Sequence, residues 1–392
     1  MTLTPAPAFD AQYDAEYIDR QAPKLRRQPS VQPTSPPAGP IHSHQPEHPE
    51  YSEYYAFVPL ADAFARYRPA LDASLRSTFQ GRELPLYDML RYHLGLDSEG
   101  AGAGKALRPT LCLLVCDALG GPWPHAVPAA VSLELIHNFS LVHDDIQDHD
   151  LERRHRPALW TRWGVAQGIN AGDAMFCMAT LALCQLSTWF APAQVVDAVH
   201  TVHEAAGDMI EGQYLDMTFE SQSTATLPQY LEMIGRKTGA LLRASMELGG
   251  LLAGVEPEVR GQCRQLGETI GELFQIRDDV LGVWGTTEQT GKPVHSDIRR
   301  RKKSMPIVIA VASARPAERE ELHGLYSAET LSDDTVARVL RLFEELDVRQ
   351  QIQQMTAELH QRARTLARTL PFGSPGAEEL LSIVDFLLTR EY

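Results

Sequence analysis

The 392-residue chain is short of cysteine, of positive charge and of long apolar runs, and each shortage excludes something. Five cysteines are an odd number, and four of them fall in apolar helical patterns: Cys112 with Cys116, and Cys177 with Cys184. They read as reduced core thiols rather than a disulfide framework. CLLVC at 112–116 has no turn residues between its cysteines, so a zinc site is not expected there. Lys plus Arg number 36 against 51 Asp plus Glu, a net charge of −15. Such a balance argues against a general binder of nucleic acid or anionic membrane, which needs a basic surface. No run of 18 or more apolar residues is found, so no membrane span is expected. The first residues, MTLTPAPAFDAQYDAEY, lack the basic start and apolar stretch of a secretory signal and are too acidic for a transit peptide. A cytoplasmic location is therefore expected.

What remains is an ordinary globular composition, 44% hydrophobic and 22% charged. Residues 1–52 stand apart. Between Gln21 and Glu50 there are eight prolines with Ser, Gln and His among them, a composition that predicts a disordered Pro/His-rich tail. HSHQPEH at 42–48 reads as solvated histidines in that leader or as a transition-metal tract, and no chemistry is assigned to it. Over 53–392, apolar residues recur at helical spacing and strand-like alternation is scarce. The fold class expected is all-α, a single-domain helical bundle, with breaks near 93–104, 120–128, 152–158, 220–228, 254–257, 284–297 and 370–376.

Two acidic clusters interrupt apolar helix patterns. In LVHDDIQDHDLERRHRP (141–157), Asp144 and Asp148 are four residues apart and His137 lies seven before Asp144, so all three fall within about 20° of one line down a helix. Four Asp in seven residues, followed by Arg153, Arg154 and Arg156, are unusual for a solvated face. Like charges at i, i+4 destabilise a helix by a few tenths of a kcal/mol, so a cation is expected to offset them. Oxygen ligands without His/Cys pairing point to Mg2+, which takes one or two carboxylates plus water and substrate phosphates. In GELFQIRDDVLGVWG (271–285) the theme repeats, with Gln275, Asp278 and Asp279 one turn apart among apolar neighbours. Two such helices facing each other would hold Mg2+ and a diphosphate.

Cationic motifs supply the complement: GKALRP at 104–109, RRHRP at 153–157, RKTGA at 236–240, GKPVHSD at 291–297 and RRRKKS at 299–304. Beside acidic motifs they suggest an anion gripped by metal and by Lys/Arg together. RRRKK alone reads equally as a solvated turn or a nucleic-acid patch. GKALRP lacks the GxxxxGK[ST] spacing of a phosphate-binding P-loop.

Taken together, and from about residue 60 onward, these motifs resemble the trans-isoprenyl diphosphate synthases, most of all the short-chain geranylgeranyl type. DDIQD at 144–148 is similar to that family's first aspartate-rich motif and QIRDD at 275–279 to its second. GKALRP, His137, GQYLD at 212–216, KTGALL at 237–242 and the GK…D…KKS.P stretch of 291–306 fall in the family's order. The resemblance implies an all-helical homodimer that joins isopentenyl diphosphate to an allylic diphosphate with two or three Mg2+ ions per active site. Asp144, Asp148 and Asp278 would ligate the metal, with Asp145 and Asp279 as secondary candidates. Arg153, Lys237, Thr238, Gln275, Lys292 and Lys302 would hold the allylic diphosphate. Lys105, Arg108, His137 and Arg154 would hold isopentenyl diphosphate. Asp144, Asp148, Lys237 and Asp278 are then the catalytic group.

Several positions depart from the family pattern. Gly282 stands where the second DDxxD motif has its last aspartate, which leaves the third Mg2+ to be bound differently. Ala106 replaces an Arg, and His155 and Arg301 each replace a Gly. Product length rests on Phe139 and Ser140, five and four residues before Asp144 and so about 6–7.5 Å deeper along the helix. Ser140 leaves room; Phe139 is either floor or ordinary core. The family pattern of one bulky residue there suggests the C20 product, geranylgeranyl diphosphate, with farnesyl diphosphate as the alternative. Other readings are a non-catalytic or regulatory synthase subunit, favoured by Gly282, and a terpene cyclase, disfavoured by Lys105, Arg108 and His137. An HD-type phosphohydrolase lacks further histidine ligands.

Overall fold

Helix boundaries follow from local chemistry. The computed structural model describes residues 58–97, 104, 106–222, 225–287, 293–327, 331–373 and 376–389. In chain order the helices are α1 (Val58–Ser77), α2 (Pro85–His93), α3 (Leu107–Ala118), α4 (Trp123–Gln147), α5 (Leu159–Trp163), α6 (Val165–Cys184), α7 (Pro192–Ser221), α8 (Leu227–Ile234), α9 (Ala240–Ala253), α10 (Pro257–Trp284), α11 (Ser296–Arg299), α12 (Met305–Ser313), α13 (Pro316–Ser327), α14 (Asp333–Glu345), α15 (Val348–Thr369) and α16 (Gly376–Thr389). Proline opens α2, α7 and α10, where its missing N–H costs nothing. Thr226 and Gln229 close a reciprocal capping box at the start of α8, and Ser332 caps α14. The fold is the all-helical one that the apolar periodicity predicts. The proposed tail of 1–52 and the HSHQPEH tract lie outside the described residues.

Helix α4 is apolar around most of its circumference, and every residue from Ala126 to Ile136 is buried. A helix of that kind belongs at the centre of a bundle, and α3 and α6 pack along it while α9 joins α3 to α10. Pro128 sits inside α4, so the expected break across 120–128 shrinks to 119–122. Burial of the flanking apolar turns outweighs the hydrogen bond that proline removes. Helix α10 runs through two cores. Leu266, Ile270 and Leu273 belong to the larger one, built with α3, α4, α6, α7 and α9. Ile276, Val280 and Val283 belong to a second one, built with α8 and α12–α15. The second acidic motif thus lies where α10 passes from one core to the other.

Two expectations are corrected. Cys112, Cys116 and Cys263 are buried thiols, but Cys177 and Cys184, on α6, are exposed. Helical periodicity alone did not tell which face of α6 met the core. Residues 165–188 are also apolar enough, by length and composition, to cross a membrane. They pack along α4, and 44% of the apolar stretch is buried; a single helix of this kind is weak evidence of a span.

Among the described residues the one sheet is a two-stranded hairpin, β1 (Glu152–Arg153) with β2 (Arg156–Pro157), which reverses the chain after the first acidic motif. Its turn residues Arg154 and His155 have φ of 54° and 59°. That double left-handed geometry suits a tight hairpin but costs a residue bearing Cβ about 1–2 kcal/mol. His155→Gly is therefore expected to stabilise the protein by about 0.5–1 kcal/mol, after the greater flexibility of glycine in the unfolded chain is subtracted. A denaturation midpoint that is unchanged or lower would contradict the strain argument.

Candidate active site

The C-terminal half of α4, the hairpin, α6, α7, the turn before α9 and the middle of α10 enclose a cavity of about 1420 Å³. Asp144 lines it from α4 and Asp278 from α10. Asp148 is the exposed C-cap of α4, between the lining residues Gln147 and Asp150. Among the described residues no three His, Cys, Asp or Glu side chains converge to cage an ion by themselves. The oxygen donors present fit a hard divalent cation that completes its shell with water and phosphate. Burial raises the Asp144 carboxyl to about 6, and Asp148 adds to the effect while Lys237 opposes it. A carboxylate held at that cost is poised to accept a cation.

The second aspartate of each pair does something else. Asp145 is buried and accepts from Arg153 Nε at 2.8 Å, with a second contact from Nη2. Asp279 is buried and accepts from Tyr230 Oη (2.7 Å), Gln275 Nε2 (2.9 Å), the Met305 amide (2.9 Å) and Lys302 Nζ (3.3 Å). Both candidates are thus engaged with protein donors rather than turned to the cavity.

The predicted anion-binding residues divide into two groups. Arg108, His137 and Arg154 line one part of the cavity. Arg108 Nη1 donates to His137 Nε2 (3.2 Å), and Arg154 Nη2 donates to Asn138 Oδ1 (3.3 Å). Burial, with Arg108 and Arg154 close by, holds the His137 imidazole well below its usual range, so it is neutral. Burial also lowers Arg108, to about 10, which leaves it charged.

The second group, Arg153, Lys237, Thr238 and Gln275, also lines the cavity. Lys237 and Thr238 lie on a single π-helical turn, Gly235–Gly239, a widened turn of the kind often found at functional sites. Lys237 Nζ donates to Asp216 (2.5 Å), and Thr238 Oγ1 donates to Gln275 Oε1 (2.6 Å). Gly212 lets this turn approach α7: a Cβ there would sit 2.2 Å from the Lys237 amide nitrogen. Lys302 is tied to Asp279. Lys105 and Lys292 lie outside the described residues.

Phe139 and Ser140 both line the cavity. Phe139 is buried and meets Phe176 edge to face, with centroids 5.1 Å apart, and Phe176 in turn meets His203 at 5.4 Å. Thr180 Oγ1 fixes the His203 ring (2.9 Å). Sequence reasoning missed Phe176, which lines the cavity, and His203, which meets its ring; that meeting depends on how α6 and α7 pack. It also missed Glu134, which lines the cavity and is held by Asn138 Nδ2 (2.9 Å). Asp216, the end of GQYLD, was visible as a motif but carried no role.

A model of the polyprenyl synthetase family matches residues 94–343. Over 264 residues the chain is 42% identical to a (2E,6E)-farnesyl diphosphate synthase of Mycobacterium tuberculosis, covering 65% of this chain and 72% of that protein. It is 33% identical to a short chain isoprenyl diphosphate synthase of Methanothermobacter thermautotrophicus over 333 residues, covering 85% and 99%. The solved geranylgeranyl pyrophosphate synthetase of Pyrococcus horikoshii superposes with a TM-score of 0.77 at 30% identity, covering 84% of this chain and 99% of that one. An all-helical bundle with two acid-bearing helices on one cavity defines the isoprenoid synthase class of fold. The chain belongs to the polyprenyl synthetase family and is a prenyltransferase.

Protonation of Asp144 competes with a cation. Because burial sets that carboxyl at about 6, divalent-cation affinity is expected to be full above pH 7 and to fall about tenfold per pH unit below 6. Titrating Mn2+ binding between pH 5 and 8 checks this; affinity that stays flat down to pH 5 contradicts it.

Proposed function

We propose that this chain is a Mg2+-dependent geranylgeranyl diphosphate synthase that condenses isopentenyl diphosphate head to tail with an allylic diphosphate. The observation that carries the reading is the single cavity. Its volume, about 1420 Å³, exceeds the roughly 300–1,000 Å³ of a pocket for one small molecule. Asp144 and Asp278, the cations Arg108, Arg153, Arg154 and Lys237, and the apolar Phe139, Phe176 and Phe274 all face it.

Asp144, Asp148 and Asp278 would hold Mg2+, which when bound offsets the charge that develops on a departing diphosphate. Arg153, Lys237, Thr238 and Gln275 would bind and orient the allylic diphosphate, with Lys292 and Lys302 assigned to the same group. Arg108, Arg154 and neutral His137, with Lys105, would take the diphosphate of isopentenyl diphosphate. Preorganised donors of this kind stabilise developing charge without reorganising. The apolar wall keeps water from the allylic carbon as its C–O bond breaks, and holds the double bond of the second substrate against it. No side-chain nucleophile takes part; the released diphosphate would accept the proton that leaves the new C5 unit as the double bond re-forms.

Product length is assigned to Phe139, five residues and about 7.5 Å along α4 from Asp144, with small Ser140 beside it. The Phe139 and Phe176 rings, the latter in contact with His203, would close the apolar end at C20. A homodimer and a cytoplasmic location belong to the same proposal. Sedimentation is expected to return about twice the 43.5 kDa chain mass; a monomer at working concentration contradicts this.

The deciding experiment supplies Mg2+, labelled isopentenyl diphosphate and the dimethylallyl, geranyl or farnesyl primer separately, and reads the alcohols after dephosphorylation. A C20 product is expected, and Phe139→Ala is expected to shift it to C25 and longer. C15 from the unaltered protein would make the farnesyl reading lead, in line with the name of the mycobacterial relative. No condensation by folded protein with any primer would make it a subunit of another synthase.

A further inference from the structure

Arg153 and Arg154 are neighbours in the chain, yet they are drawn to different rungs of one helix face. Asp145 and Asn138 stand seven residues apart on α4, so they point within about 20° of each other and lie about 10.5 Å apart along the axis. Asp145 accepts from Arg153 Nε (2.8 Å), and Asn138 Oδ1 accepts from Arg154 Nη2 (3.3 Å). Asn138 is fully buried. Its amide nitrogen is spent on Glu134, one turn earlier: Nδ2 donates to the Glu134 carbonyl (2.8 Å) and to Oε1 of the Glu134 side chain (2.9 Å). That fixes the orientation of the amide. A flip would set its nitrogen against the guanidinium, donor against donor, and its oxygen against two acceptors.

Gly104 closes another side of Arg154, since a Cβ there would lie 2.6 Å from Nη2 and 3.0 Å from Cζ. The Gly104 carbonyl accepts from Arg68 Nη1 (3.0 Å), and Asp72 accepts from Arg68 Nε (2.7 Å). A neutral amide and a carboxylate do different things to an arginine: both fix its position, but the amide leaves its charge uncancelled. Desolvation lowers the guanidinium of Arg154 from its ordinary value, as it does that of Arg108, and at both the nearby Glu134 carboxylate is the largest opposing influence.

We propose that Asn138 is a positioning residue for isopentenyl diphosphate: locked by Glu134, its amide aims the Arg154 guanidinium at that substrate. The inference rests on the assignment of Arg108, Arg154 and His137 to isopentenyl diphosphate made above. On the allylic side Arg153, Lys237 and Thr238 are held by Asp145, Asp216 and Gln275 instead. Loss of the Asn138 amide therefore reaches one substrate and spares the other.

Steady-state kinetics of the full chain with Mg2+ test this, each substrate varied with the other saturating, and with circular dichroism and melting to check the fold. Asn138→Leu keeps the branched shape of the side chain without its polar atoms. It is expected to raise KM for isopentenyl diphosphate about tenfold, the effect of losing one hydrogen bond to a charged group, and to leave KM for the allylic primer within about twofold. Arg154→Ala is expected to raise KM for isopentenyl diphosphate at least as much, and the double variant to be no worse than Arg154→Ala alone, because residue 138 then has nothing to aim. A purely structural role would show neither the split between substrates nor the absence of a further effect in the double variant. If Asn138→Leu does not fold, Asn138→Ser carries the same question, since its hydroxyl can bond back to the Glu134 carbonyl but is too short to reach Arg154. Where Arg154→Ala has its effect, a folded variant at 138 overturns this inference alone in any of three ways: an unchanged KM for isopentenyl diphosphate, an equal rise for both substrates, or a rise that adds to that of Arg154→Ala. If Arg154→Ala leaves KM for isopentenyl diphosphate unchanged, the assignment of Arg154 falls and this inference with it. An unaltered protein that condenses nothing overturns the synthase reading and both.

Discussion

The buried carboxylate of Asp279 is the interaction on which the rest of the site depends. An ionised carboxylate out of water survives only with several donors, and this one has four, from α8, α10 and the segment that enters α12. Burial and the adjacent carboxylate push the Tyr230 hydroxyl far above its usual range, so it stays a donor. Gln275 donates to Asp279 with one end and accepts from Thr238 with the other, so the same charge sets the position of the π turn that presents Lys237. Removing one partner of such a buried network typically costs about 3–5 kcal/mol, because the remaining charge is left unpaired. Asp278 can face the cavity because its neighbour faces the core. Adjacent residues on a helix point about 100° apart, and the first pair divides the same way: Asp144 looks into the cavity while Asp145 is gripped by Arg153.

Four cationic side chains in or beside the site are already matched to carboxylates. Lys237 is on Asp216, Arg153 on Asp145, Lys302 on Asp279 and Arg300 on Asp150. Asp279, Asp297 and Asp216 together hold the half-buried Lys302 ammonium well above its usual range despite desolvation. A diphosphate that meets these four exchanges partners with carboxylates, whereas Arg108 and Arg154 are hydrogen-bonded to neutral His137 and to Asn138. A chain of net charge −15 would otherwise repel a polyanion, so the local arrangement, not the overall charge, has to provide the attraction.

Much of this was legible in the sequence, and what was not has a common cause. Asp144 and Asp278 could be found because carboxylates repeating at helical spacing inside apolar segments have few structural explanations. The different fate of Asp145 and Asp279 could not, since it turns on which side of the helix meets which neighbour. RRRKK reads in one dimension as a basic patch or a solvated turn. In the fold Arg299 goes to Asp333, Arg300 to Asp150 and Lys302 to Asp279, while Lys303 is buried over the Tyr326 ring. The run is neither a patch nor a loosely solvated turn, because its residues serve separate elements. Cys177 and Cys184 fail for the same reason in reverse: apolar spacing on α6 continues past the face that the core covers. Phe176 reaches the cavity, and His203 meets its ring, only through helix packing that no local pattern encodes.

The departures from the family pattern obey local geometry as well. Ala106, His155 and Arg301 have φ of 51°, 59° and 56°, in the left-handed region where a Cβ is costly. Two of these positions are ones where the resemblance expects glycine, which is the residue the backbone there would favour. Each stands beside a residue assigned to diphosphate binding: Ala106 next to Lys105, His155 next to Arg154, Arg301 next to Lys302. Strain of about 1–2 kcal/mol at each turn is tolerable in a protein with two large apolar cores, and the turns keep their shape because packing on both sides determines it. Gly282 inverts the case. There the chain has glycine where a side chain is expected, and its φ is unremarkable for a helix; the constraint is the Asp297 carboxylate in front of it. Gain of glycine at 282 and loss of glycine at 155 and 301 therefore have different physical origins, close approach in the first case and backbone conformation in the other two.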